Sequence, residues 1–260
     1  PMRKFILATL MLTTCPLAPA FADSMTSISE TSAALPVAIR HPAEKPEFHY
    51  LNADDYLPQR IIAQPPMEGS ETQKQELAFI RAQIAAATPE RLAQAKHDGE
   101  TENPTLYNEV LRRDLTKLPA TWDLLVTVQD EADAAADIAK AAYMRPRPYT
   151  VDQTMPTCTK VDPTKPAKSY PSGHASVGYS VGWALAKLMP EMAPAILSRA
   201  EDYARGRELC GVHFPSDVEA SHVFATLIAD RLLSDARLAD KVAAAKAELA
   251  ASNLRAEIIK

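Results

Sequence analysis

The stretch WDLLVTVQDEADAAADIAKAAYMRPRP, residues 122–148, holds one helical pattern for about six turns before two prolines stop it. Leu125, Val128, Ala132, Ala136 and Ala139 recur at intervals of three and four, which lays an apolar stripe along one face. The Arg145-Pro146-Arg147-Pro148 run then ends the helix, because proline cannot extend the hydrogen-bond ladder and disfavours helix in the residue before it. The rest of the chain repeats this economy. Glycine is scarce at 7, proline plentiful at 21, and 47% of the 260 residues are hydrophobic. The body is rich in Ala, Leu, Glu and Lys. That balance predicts an all-α fold, with helices punctuated by proline around one core.

Towards the N-terminus, Ser70 or Thr72 can cap a helix carrying Leu77, Ile80 and Ile84; Thr88-Pro89-Glu90 opens the next, and a third is expected from Leu106 to Leu115. Residues 23–69 are polar and interrupted by proline, and read as an extended arm preceding a helical domain at 70–260. Met2-Arg3-Lys4, the apolar run from Phe5 to Leu12 and the small residues of Ala20-Phe21-Ala22 predict a signal peptide over 1–22, cleaved near Ala22. A periplasmic or secreted protein is the expectation. Towards the C-terminus, a loop over 149–170 precedes Pro171-Ser172-Gly173-His174, where a helix begins that halts at Pro190. Further helices are expected at 191–210, 217–236 and 239–253.

The formal charge of −5, with no lysine- or arginine-rich run, offers nucleic acid no general attraction. Beyond residue 22 no apolar stretch approaches the roughly 20 residues that span a bilayer, so membrane insertion is not expected. Five of the seven glycines lie between 173 and 211, which concentrates close backbone approach in one region. Cys158 and Cys210 are the cysteines that survive signal removal; in an oxidising compartment they can form a disulfide, the alternative being two buried thiols.

Three clusters carry the chemistry. Lys140 and Arg147 would lie about 20° apart on one helical face if the helix reaches Arg147, whereas Arg145 would lie about 140° away from Lys140. Spacing alone also allows solvated cations at a helix C-terminus. In Ser169-Tyr170-Pro171-Ser172-Gly173-His174, a Ser-Gly pair opening a helix offers a hydroxyl and free backbone N–H groups to an oxyanion, and His174 can donate a proton to a leaving oxygen. A plain serine cap accounts for the same residues. In the third cluster, Arg207, His213 and Asp217, Pro215 keeps the histidine in a turn, Ser216 can cap the next helix, and Asp217 can accept the imidazole Nδ1 hydrogen, freeing Nε2 as a nucleophile. A structural His–Asp hydrogen bond is the alternative.

In order and spacing, these pieces resemble the tripartite signature K-x6-R-P, P-S-G-H, S-R-x5-H-x3-D of the bacterial class A non-specific acid phosphatases, within the wider superfamily of phosphatidic acid phosphatases and vanadium haloperoxidases. The likeness runs from Pro65-Pro66 to the C-terminal helix, and departs where Gly206 stands in place of the family's serine. Arg205 is a candidate to compensate.

The resemblance implies a compact helical fold hydrolysing small phosphate monoesters at acid pH with broad specificity and without metal or other cofactor. On that reading Lys140, Arg147, Ser172, Gly173 and Arg207 bind the phosphate, His213 attacks, Asp217 orients it and His174 acts as general acid. The two histidines then need opposite protonation states, which predicts a bell-shaped pH profile. Homo-oligomers are also implied. The rivals are a vanadate-dependent haloperoxidase, a lipid phosphatase and an inactive periplasmic phosphate-binding protein. His222 reads as a packed or surface residue, and His41, His49 and His97 as arm or loop positions.

Overall fold

The computed structural model describes residues 48–52, 58–161 and 168–252. The expected signal peptide, most of the arm, the middle of the 149–170 loop and the end of the 239–253 helix lie outside the described residues, as does His41. Within them the regular structure is helical, as the composition predicts: α1 (Pro58–Ile61), α2 (Glu71–Ala86), α3 (Pro89–Asp98), α4 (Asn108–Leu111), α5 (Pro119–Tyr143), α6 (Pro148–Val151), α7 (Gly173–Leu188), α8 (Ala193–Leu209), α9 (Pro215–Leu233) and α10 (Ala239–Ala251), joined in places by short 3-10 turns.

Local chemistry sets the boundaries. Ser70 caps α2 by accepting the Gln73 N–H at 3.2 Å, and Thr88 caps α3 by accepting that of Arg91 at 3.2 Å. The helix expected from Leu106 to Leu115 is broken instead. A 3-10 turn at Pro104–Tyr107 leads into the single turn of α4, Arg112 adopts φ 50°, and a second 3-10 turn follows at Leu115–Lys117. Asn103 and Asp114 each accept the N–H two residues on, at 2.9 and 3.0 Å, and Asn108 accepts that of Leu115 at 3.0 Å. Such side-chain bonds compete with the helical ladder. His97 belongs to the last turn of α3 rather than to a loop.

Helix α5 stops at Tyr143, with Met144 left-handed at φ 47°, so Lys140 and Arg147 do not share a helical face. Helix α9 starts at Pro215, two residues earlier than a Ser216 cap requires, because the Asp217 carboxylate reaches back to the Phe214 N–H at 2.8 Å.

Helix α7 is the centre of the molecule, packed by α5, α8 and α9, with α10 covering α5 and α3 lying on α8. Val177, Val181 and Leu185 are fully buried, each contributing about 1.5–3 kcal/mol through removal of apolar surface from water. Gly178 admits the Tyr203 ring, whose Cδ1 would stand 2.8 Å from a Cβ there, while Tyr107 donates its hydroxyl to Gly178 O at 2.6 Å. That close approach draws α8 and the 104–107 turn onto α7.

The described part of the arm rests on the domain. The backbone N–H groups of His49, Tyr50 and Leu51 all donate to the buried Glu131 carboxylate at 2.5–3.0 Å, and Ile62 joins the main core. Cys158 and Cys210 form a disulfide that ties the loop after α6 to the α8–α9 turn. No helix among the described residues is long and apolar enough to cross a membrane.

Candidate active site

The ends of α5, α7, α8 and α9 converge where the three sequence clusters meet. At the start of α7, Ser172 is the N-cap; its Oγ accepts the Ala175 N–H at 3.3 Å, leaving its own O–H to donate. A second serine, Ser221 of α9, receives the Ser172 N–H at 2.9 Å and locks the turn to that helix. Gly173 is the residue that lets a cation approach. A Cβ there would lie 2.9 Å from Lys140 Nζ, so the ammonium rests against the α7 N-terminus, with Asp137 at 3.0 Å on its other side.

Arg147, extended beyond α5, donates to Val212 O at 3.3 Å. Arg207, in the last turn of α8, is 5% exposed, and its Nε and Nη1 are buried without a hydrogen-bond partner among the described residues. Burial lowers the pKa of both guanidinium groups, and in Arg207 the charge of Arg147 lowers it further. Two desolvated guanidiniums, an ammonium and a helix N-terminus around one point make a strong site for a tetrahedral oxyanion.

His213 lies in the turn before α9, buried, with Nδ1 3.3 Å from Asp217 Oδ2. Burial, and then the positive charges of Arg147, Arg207, Lys140 and His174, hold its pKa well below the ordinary imidazole value. The imidazole is therefore neutral, and Nδ1 facing the carboxylate carries the hydrogen. Asp217 serves more than His213: Arg145 Nη1 donates to it at 2.6 Å, along with the Ser169 hydroxyl and the Phe214 N–H. Burial pushes its carboxyl up while these donors pull the other way. Every contact it makes is with a donor, which is the environment of an ionised carboxylate.

His174, in the first turn of α7, meets acceptors on both sides: Glu102 Oε1 at 2.9 Å from Nδ1 and Gly99 O at 3.1 Å from Nε2. Its ring stacks on Tyr203, centroids 6.1 Å apart.

All eight residues expected from the sequence are thus gathered at one place. Others had no such signal. Arg145, beyond the end of α5, is 4% exposed and bridges Asp217 to Glu76, 2.8 Å away on α2, with the Phe214 ring 4.0 Å from its Cζ. Glu76 also accepts the Ser216 N–H at 2.8 Å. Glu102 arrives from the turn after α3. Gly206 leaves room for a side chain, since a Cβ would make ordinary 3.6 Å contacts with Ala95. Arg205 does not compensate there: it is engaged by Glu201 at 2.7 Å and Glu208 at 2.6 Å. His222 is half exposed and stacks on Tyr179.

Comparison with known proteins agrees with this geometry. Residues 124–236, which hold all three clusters, match the PAP2 superfamily. The chain is 30% identical over 217 residues to an acid phosphatase of Zymomonas mobilis, covering 80% of each. It is 29% identical over 215 residues to a non-specific acid phosphatase of Providencia stuartii, covering 79% of this chain and 86% of that one. A non-specific acid phosphatase of Salmonella typhimurium is 34% identical over a shorter 105 residues. The chain belongs to the acid phosphatases of the PAP2 superfamily.

Proposed function

We propose that the protein hydrolyses phosphate monoesters of broad structure through a phosphohistidine on His213, with His174 as the general acid. The observation that supports this best is the juxtaposition of a buried, neutral His213 with Arg207, whose buried Nε and Nη1 have no partner among the described residues. An unpaired buried guanidinium is costly unless an anion meets it, and an anion held there is presented to a nucleophile.

Lys140, Arg147, Arg207, the Ser172 hydroxyl and the Gly173 N–H hold the non-bridging oxygens and stabilise the charge of the transition state. His213 Nε2 forms a bond to phosphorus as the ester P–O bond breaks, and His174 gives its proton to the departing oxygen. Asp217 balances the positive charge that develops on His213. In the second half, water attacks phosphorus, the P–N bond breaks, and His174 takes the proton from water as inorganic phosphate leaves. The cradle grips phosphate and not the alcohol, which supports broad specificity.

An exported, homo-oligomeric enzyme is part of the same proposal, the Cys158–Cys210 bridge fitting an oxidising compartment. Partitioning tests the mechanism. With an added acceptor alcohol, a common phosphoenzyme gives one ratio of phosphate to transfer product, whatever the leaving group. A ratio that differs between p-nitrophenyl, phenyl and glycerol phosphates contradicts it.

A further inference from the structure

Both ring nitrogens of His174 face oxygen acceptors, Glu102 Oε1 at Nδ1 and Gly99 O at Nε2. Neither a carboxylate nor a carbonyl can donate to a ring nitrogen, so both nitrogens are placed to act as donors. Two acceptors from one short turn therefore fix the plane and the donor role of this side chain, with the Tyr203 ring behind it.

The sequence of Glu102 carries no motif, and its carboxylate would be a liability in a phosphate site unless it had a task. It lies close to the cradle: a Cβ on Gly173 would be 3.4 Å from its Oε1, beside the Lys140 ammonium. Loss of water raises its carboxyl, yet His174, Lys140 and Arg207 together hold it down, at about 2. The carboxylate thus stays ionised through the acid range in which the enzyme family works, and it remains 42% exposed, so its charge is not stranded.

We propose that Glu102 is the positioning residue of the general acid: it holds the Nδ1 hydrogen of His174 and aims Nε2 at the leaving oxygen. The proposal rests on the reading of His174 as the acid. When the ester oxygen takes the place of Gly99 O as the acceptor at Nε2, the proton passes to it as the P–O bond breaks. The ring left behind is neutral, with its hydrogen on Nδ1 and Nε2 free to accept a proton from water in the second half-reaction. Glu102 selects that tautomer by accepting from Nδ1, as a buried aspartate does for the histidine of a serine hydrolase.

The test is a leaving-group series in Glu102→Gln, which keeps the shape and removes the charge. kcat/KM reports phosphorylation of the enzyme, measured for p-nitrophenyl, phenyl and glycerol phosphates at one acid pH. The expected loss is about 10- to 100-fold for glycerol phosphate, a part of the 10²–10⁴-fold that general acid catalysis contributes, and at least tenfold smaller for p-nitrophenyl phosphate, whose phenolate leaves with little help. His174→Ala is run beside it. A steep series in His174→Ala with equal losses across the series in Glu102→Gln overturns the assignment of Glu102 alone. Equal losses in His174→Ala overturn the general acid itself. A merely structural role for Glu102 lowers all three substrates alike, which also contradicts the proposal. Thermal unfolding of both variants confirms that folded protein is being compared.

Discussion

His213–Asp217 and His174–Glu102 are both histidine–carboxylate pairs through Nδ1, at 3.3 and 2.9 Å, yet their surroundings differ in burial, charge and hydrogen-bond partners. The first pair has side chains 2% and 0% exposed, is ringed by cations, and shares its carboxylate with Arg145, Ser169 and the Phe214 backbone. The second, 19% and 42% exposed, has its other ring nitrogen on a carbonyl. Burial and like charge hold down the pKa of one imidazole; the other has an oxygen acceptor at each ring nitrogen. The same two residue types thus serve as base-form nucleophile and acid within one site, and environment alone decides which is which.

Breaking the pairs should be unequal. The largest expected effect is in His213→Ala, which removes the attacking atom and should lower kcat by about 10⁴-fold or more on every monoester. His174→Ala should cost about 10²–10⁴-fold, and that only where the leaving group is poor. Steady-state kinetics over a range of esters checks both.

Next comes the support of the buried pair. Arg145→Met leaves Asp217 and Glu76 without their guanidinium, and a buried charge stripped of its partner costs about 3–5 kcal/mol. Urea denaturation should show that loss, with activity falling in the protein that stays folded. A change below 1 kcal/mol would mean that Arg145 does not hold Asp217.

The pH profile sharpens the comparison. His213 must be unprotonated to attack, and its pKa is lowered, so the acid limb of kcat/KM should lie below pH 6.5: activity is retained as pH falls to that lowered value and lost beneath it. Lys140 is one of the charges responsible, so Lys140→Met should let the value rise and carry the acid limb upward by up to about one unit. A limb that moves down, or stays, removes Lys140 from the electrostatics of the nucleophile.

The smallest effect is expected at Gly206. Gly206→Ser fits against Ala95 and improves helix propensity, a gain of about 0.5 kcal/mol in thermal unfolding, while the contrast between the two histidines persists.

Much of this could be read in advance from local signals. Ser70 and Thr88 as caps, and the spacing of Lys140, Arg147, Ser172, His174, Arg207, His213 and Asp217, each depend on neighbours close in sequence or on a fixed motif, whereas the helix starts at Pro119 and Pro148 lie outside the helix bounds expected from the pattern. What escaped depends on distant packing. Glu76 reaches Arg145 from 69 residues away, and Glu102 meets His174 from 72 residues away, and neither belongs to a motif that names it. Helical phase set Arg145 apart from Lys140, but the helix ends at Tyr143, and what places Arg145 is its burial against Asp217 of α9 and Glu76 of α2. The broken segment around 104–117 had the right apolar residues for helix; its Asn and Asp side chains chose turns instead.

The division of labour between the two histidines is tested most directly by rapid acid-free quenching during turnover of a phosphate ester labelled on phosphorus, followed by mapping of the labelled peptide. The label should be alkali-stable, acid-labile and confined to the peptide containing His213, and His174→Ala should still be labelled by p-nitrophenyl phosphate. Label on His174 instead, or turnover at the ordinary rate in His213→Ala, would contradict the account.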